Sequence, residues 1–149
     1  MKVAEILALA APIFAIAAPQ DGYDSPIDSV LVPTFGIVRG IPSSSQPGSC
    51  QGANGINIPC LCPPDMDAFI QRLEQFTSAG KAFDIPVKFS RDVNDMSVAT
   101  QLDRVNACIV TLQNFDDTIK GAGCPAASAP NFTTMQTILL QQLQGIDEN

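Results

Sequence analysis

The sequence predicts a mainly α fold: a small disulfide-stabilised bundle of about three helices, preceded by an extended, partly disordered N-terminal arm over residues 19–49. Three observations point there. Three stretches repeat apolar residues at three- and four-residue steps, the period of an amphipathic helix. Five cysteines accompany them, three just before the first stretch, one inside the second and one between the second and third. The segment before the first cysteine is rich in Pro, Gly, Ser and Asp, which is linker chemistry.

The first helix is expected in "PPDMDAFIQRLEQFTSAG", where Met66, Phe69, Ile70, Leu73 and Phe76 form one stripe. Pro64 suits the first helical position, Asp65 and Asp67 suit the positive end of the helix dipole, and Gly80 suits the exit. The second is "DMSVATQLDRVNACIVTLQNF", with Val98, Leu102, Val105, Ile109 and Leu112 as its stripe and Asp95 or Ser97 as its cap. The third is "NFTTMQTILLQQLQG", striped by Phe132, Met135, Ile138, Leu139 and Leu143, capped by Asn131 and ended by Gly145. Each stripe must be buried against another. Between the first two, "FDIPVKFS" alternates Val87 and Phe89 around Lys88, and Pro86 limits it to a short extended connection or an edge strand.

The N-terminus reads as a secretory signal peptide over residues 1–18. Its apolar run, Ile6 to Ala18, is shorter than the roughly 20 residues a bilayer span requires. It closes on Ala15-Ile16-Ala17, an A-x-A cleavage pattern, so cleavage falls after Ala17 or Ala18. The mature chain then keeps the net charge of −7, because Lys2 and Glu5 leave together. An acidic chain with scattered basic residues has no electrostatic footprint for nucleic acid or anionic lipid. The arm contains one apolar patch, "SVLVPTFGIVRG", broken by Pro33 and Gly36. It is expected to lie extended on the domain of residues 50–149, with edge-strand pairing as the alternative, and exposed side chains such as Phe35 and Arg39 are expected to offer a partner surface.

The cysteines are Cys50, Cys60, Cys62, Cys108 and Cys124. In a secreted chain they predict disulfides. The C-x-C spacing is not a zinc knuckle, and no histidine is present to complete one. Residues two apart in an extended backbone point the same way, so Cys60 and Cys62 are too parallel to bond each other. Each reaches a different partner, and Pro63-Pro64 stiffens the chain into the first helix. Cys108 falls on the stripe of the second helix and reads as a buried free thiol. Two pairings of the remaining four are left, and Cys50–Cys60 with Cys62–Cys124 is preferred over Cys50–Cys62 with Cys60–Cys124.

"IPCLCPPDMDAFI", "VTLQNF" and "GAGCPAAS", in that order, resemble a group of small secreted cysteine-containing proteins of filamentous fungi. The resemblance covers about residues 50–128. It implies secretion and the helical fold, and no established activity.

Chemistry has little to build on. The absence of histidine removes Ser-His-Asp and Cys-His machinery. No nucleophile-elbow, phosphate-loop or zinc-protease motif occurs. Asp65 and Asp67 read as helix-start residues, and Asp116-Asp117 as an exposed loop. "DVNDMS", residues 92–97, offers oxygen ligands but lacks the glycine and terminal glutamate of a calcium loop. No catalytic residue, metal ligand or cofactor is therefore expected. Asn131-Phe132-Thr133 is a glycosylation sequon, with Asn131 expected to be exposed. Asn106-Ala107-Cys108 is a weaker match, expected to stay unmodified. The expected function is non-enzymatic binding, to a protein or cell-wall component, at a cell wall or toward a host or competitor. The alternative is a carrier of an apolar ligand, a lipid or sterol, held between the helices.

Overall fold

The computed structural model describes residues 26–147. The expected signal peptide and the first residues of the arm lie outside that range. Three helices dominate: α1 (Met66–Ala79), α2 (Val98–Gln113) and α3 (Pro130–Asp147). Two small antiparallel pairs accompany them, β1 (Cys50–Gln51) with β2 (Asn57–Ile58), and β3 (Lys81–Ala82) with β4 (Ile85–Pro86).

Local chemistry accounts for most helix ends. Asp65 caps α1, its carboxylate accepting from the N–H groups of Asp67 and Ala68 at 3.0 and 3.2 Å. Pro64 therefore precedes the cap rather than opening the helix, because the prolines are buried and the carboxylate takes up the free N–H groups of the first turn. Gly80 ends α1 in the left-handed conformation, φ 72°, donating its N–H to Phe76 and Thr77 carbonyls. Ser97 caps α2, and Asp95 supports it by accepting from Ser97 N–H and the Thr100 hydroxyl. At α3 the expected cap is displaced. Pro130, which has no N–H to satisfy, takes the first helical position, and Asn131 lies inside the helix. Gly145 does not end α3 either. It keeps helical geometry, at a propensity cost of about 1 kcal/mol relative to alanine, and the helix runs on to Asp147.

Helix α2 packs against both α1 and α3. Phe69 and Leu73 of α1, Val105, Cys108 and Leu112 of α2, and Phe132 of α3 are almost wholly removed from water. The arm supplies the piece that joins α1 to α3. Phe35, expected on an exposed arm, is only 7% exposed. Its ring contacts Phe69 and Phe132 at centroid distances of 5.3 and 5.5 Å, and those two rings lie 5.6 Å apart. Ile27 and Val32 are buried with it. Backbone bonds fasten the arm at both helices: Ile27 N–H donates to the Glu74 carboxylate of α1 at 2.7 Å, and Asn131 N–H of α3 donates to the Phe35 carbonyl at 3.1 Å. Arg39 is exposed, as expected. The described part of the arm reaches strand-like pairing at its end, where Gln51 N–H donates to the Ile41 carbonyl.

The α3 stripe is less buried than its period implies. Phe132 and Leu139 enter the core, but Met135 and Ile138 are exposed. Helix α3 rests on α2 and the turn at Ala126–Ser128, which leaves this flank facing water.

The segment after α1 is a hairpin, β3 to β4, turning through Phe83 at φ 56° and Asp84. It buries Ala82, and the chain beyond it buries Val87 and Phe89. The loop that follows wraps a buried cation of its own. Arg104 is 3% exposed, and its guanidinium donates to the carbonyls of Ser90, Asp95 and Asp92 at 2.8, 2.8 and 2.6 Å. The side-chain oxygens of this loop serve it locally, Asp92 accepting from Asn94 N–H and Asp95 from Ser97 N–H and the Thr100 hydroxyl.

Candidate functional site

The site is built where the C-x-C segment meets the loop after α2. Cys50 bonds Cys60 and Cys62 bonds Cys124, the first of the two pairings. Cys50 and Ile58, opposite each other across β1 and β2, set the first bridge close to the ladder. The second bridge ties the start of α1 to the loop beyond α2, across a sequence separation of 62. Cys62, Pro63 and Pro64 are all buried. Leu61, between the two bonded cysteines, is 76% exposed. Two covalent bonds thus hold a large apolar side chain in water, on a segment that can move little.

Close approach on the other side depends on Gly123. A Cβ there would lie 2.3 Å from the Leu112 carbonyl oxygen. Its absence lets Cys124 N–H donate to that same carbonyl at 2.9 Å. Asn114, buried at the end of α2, holds the intervening loop closed. It donates to the Val110 carbonyl and accepts from Gly121 N–H, each at 2.8 Å. The loop then presents Phe115, Asp116 and Asp117 beside Leu61.

An open groove of about 660 Å³ runs between these parts. Leu61, Arg72, Phe115 and Asp117 shape it, and Arg39 of the arm lies at it. Arg72 of α1 pairs with Asp117, also donates to Gln75, and has its guanidinium 5.6 Å from the centre of the Phe115 ring. That contact is a cation–π geometry. The Arg72 Nε is buried without a hydrogen-bond partner among the described residues.

Three of the four carboxylates considered for acid–base work, Asp65, Asp116 and Asp117, have structural partners. Asp65 caps α1. Asp67 is exposed in its first turn. Asp116 accepts from the N–H and hydroxyl of Thr118, which hold its carboxyl below the usual range. A general acid at neutral pH requires the opposite shift. Cys108 is a free thiol buried in α2, and burial pushes its pKa well up. That is the environment of an inert thiol rather than a nucleophile. Among the described residues no three His, Cys, Asp or Glu side chains are grouped as metal ligands would be. No helix among them is long and apolar enough to cross a membrane.

Asn131 is exposed and does not line this groove, and its amide donates to the Thr34 hydroxyl. Asn106 is half-buried, and its side-chain oxygen accepts from Gln136 at 2.7 Å. The groove brings Arg72, Phe115 and Asp117 together although no sequence signal joins them. The one trace of it is Leu61, an apolar residue placed where a tight polar turn would serve the disulfides as well.

No protein-family model matches the chain, and neither the curated proteins nor the solved structures contain a significant match.

Proposed function

We propose that the mature chain is a small secreted binding protein, of the fungal effector-like kind, that recognises a protein or cell-wall component without catalysis. The observation that carries this is Leu61, exposed between two disulfide-bonded cysteines beside a groove with an arginine–aromatic contact. Aromatic and arginine anchors dominate the energy of recognition surfaces, and the Arg72–Phe115 pair lines the same groove as Leu61. Rigidity adds to it, because an anchor already fixed in place loses little freedom on binding.

Two disulfides accord with an oxidising compartment, the one in which such bonds persist. The packing favours recognition on the outside over a ligand carried within. Phe35, Phe69 and Phe132 occupy the space where α1 and α3 approach, so the two helices close on each other there through packed rings. The carboxylates favour binding over hydrolysis, since Asp65, Asp116 and Asp117 are each engaged in holding local structure.

Sedimentation of the purified protein with isolated cell walls tests the reading, with Leu61→Asp as the comparison. Binding that falls at least tenfold in the variant, with its thermal unfolding unchanged, is expected. Equal sedimentation of the two proteins would place recognition elsewhere. A lipid or sterol retained at one copy per chain in native mass spectrometry would establish the carrier instead.

A further inference from the structure

We propose that Asn131 is an N-glycosylation site that is modified before α3 forms, and that the finished fold shuts the sequon to the transferase. The proposal rests on the secretory reading, since the modification occurs along that route.

Three observations support the site. Asn131-Phe132-Thr133 satisfies the N-x-T pattern, and Asn131 is exposed in the folded chain. Its Nδ2 donates one hydrogen bond, to Thr34 Oγ1 at 3.0 Å. An amide nitrogen has two hydrogens, so the secondary amide of a glycosylated asparagine keeps the one that this contact uses. Space is also available. Asn131 lies on an open groove of about 470 Å³, bordered by Pro33, Thr134, Met135 and Ile138, where a sugar can extend without disturbing the core.

The timing follows from the helix. A sequon is read through both its asparagine and its threonine, but residues two apart on a helix do not face each other. Phe132 between them is 1% exposed, and Thr133 has turned its hydroxyl back to the Pro130 carbonyl at 3.1 Å. The asparagine side chain is pressed against Gly36, whose φ of +93° suits glycine and where any Cβ would lie 2.5 Å from the Asn131 oxygen. The acceptor and its recognition element therefore point apart once α3 and the arm have docked.

In the modification, Asn131 Nδ2 attacks the anomeric carbon of a polyprenol diphosphate-linked oligosaccharide. A C–N bond forms, and the anomeric C–O bond breaks. The diphosphate leaves with the electron pair, and the amide gives up one proton.

The test is intact and peptide mass spectrometry of the full chain, expressed with its own leader in a eukaryotic secretory host. The expected result is a medium protein with one N-glycan, converted to Asp at position 131 by peptide N-glycosidase, and no glycan in Thr133→Ala. Folded, unglycosylated protein offered to the transferase with its lipid-linked donor should remain unmodified, while the reduced and unfolded chain is glycosylated. An unmodified Asn131 in protein recovered from the medium would overturn this proposal and leave secretion standing. Unmodified protein found only inside the cells would overturn the secretory reading and the proposal together. Equal modification of folded and unfolded chain would overturn the timing.

Discussion

The ring of Phe35 stands edge-on to the ring of Phe69, at 81° between planes and 5.3 Å between centroids. That geometry is favoured by the opposite charge of an aromatic face and edge. It makes a residue of the N-terminal arm part of the core of α1. Phe35→Ala should destabilise the protein by about 3–5 kcal/mol, the range for truncating a buried phenylalanine. Urea unfolding checks this, and a loss below about 1 kcal/mol would mean that the arm only rests on the surface.

The two disulfides should differ in worth. On the chain-entropy account a loop of 62 residues contributes about 4 kcal/mol and one of 10 residues about 3. The Cys62→Ala/Cys124→Ala pair should therefore lower stability more than Cys50→Ala/Cys60→Ala. Denaturant midpoints of the two double variants decide it. The reverse order would show that the C-x-C segment is fixed chiefly by its ladder with β1.

Arg104 should not be replaceable by lysine. Its fork reaches carbonyls of three residues from one position, and an ammonium group cannot reproduce that spread. Arg104→Lys and Arg104→Met should each cost about 2–4 kcal/mol, from bonds to a charged donor. Amide exchange should quicken across residues 90–97. Slow exchange in the methionine variant would mean that the loop holds itself.

The buried thiol of Cys108 predicts an alkaline limit. Its folded pKa is raised by burial, whereas an unfolded cysteine titrates near about 8.5. The neutral thiol's contribution is complete below that pH. It is lost as pH climbs above it toward the folded value, because the unfolded chain then releases a proton that the folded chain keeps. Cys108→Ala should flatten the fall in stability above pH of about 8.5, measured by unfolding at stepped pH. Iodoacetamide should label Cys108 only after denaturation, and rapid labelling of native protein would contradict its burial.

The parts of the fold written locally were legible. Helix α1 carries its stripe and its exit signal within one stretch, and Phe69, Leu73 and Phe76 are buried with Gly80 at its end. The role of Phe35 was not. Flanked by Pro33 and Gly36 it has no period, and its burial depends on α1 and α3 meeting over it. Arg104 gave no signal either, since an arginine beside Val105 looks like the edge of an amphipathic face. Only the folded loop shows three carbonyls converging there. The same holds for the groove, where Arg72 and Phe115 are brought together by the Cys62–Cys124 bond and by Asn114. The pattern overstated α3, whose Met135 and Ile138 have the spacing of core residues but are left exposed by the described residues.

Residues 26–49 complete the core through Ile27, Val32 and Phe35. Comparing residues 19–149 with residues 50–149, both oxidised, by urea unfolding followed by circular dichroism tests it most directly. The longer chain should unfold in a cooperative transition. The shorter one should show a broad transition, or none. A shorter chain that unfolds cooperatively at the same urea midpoint would contradict it.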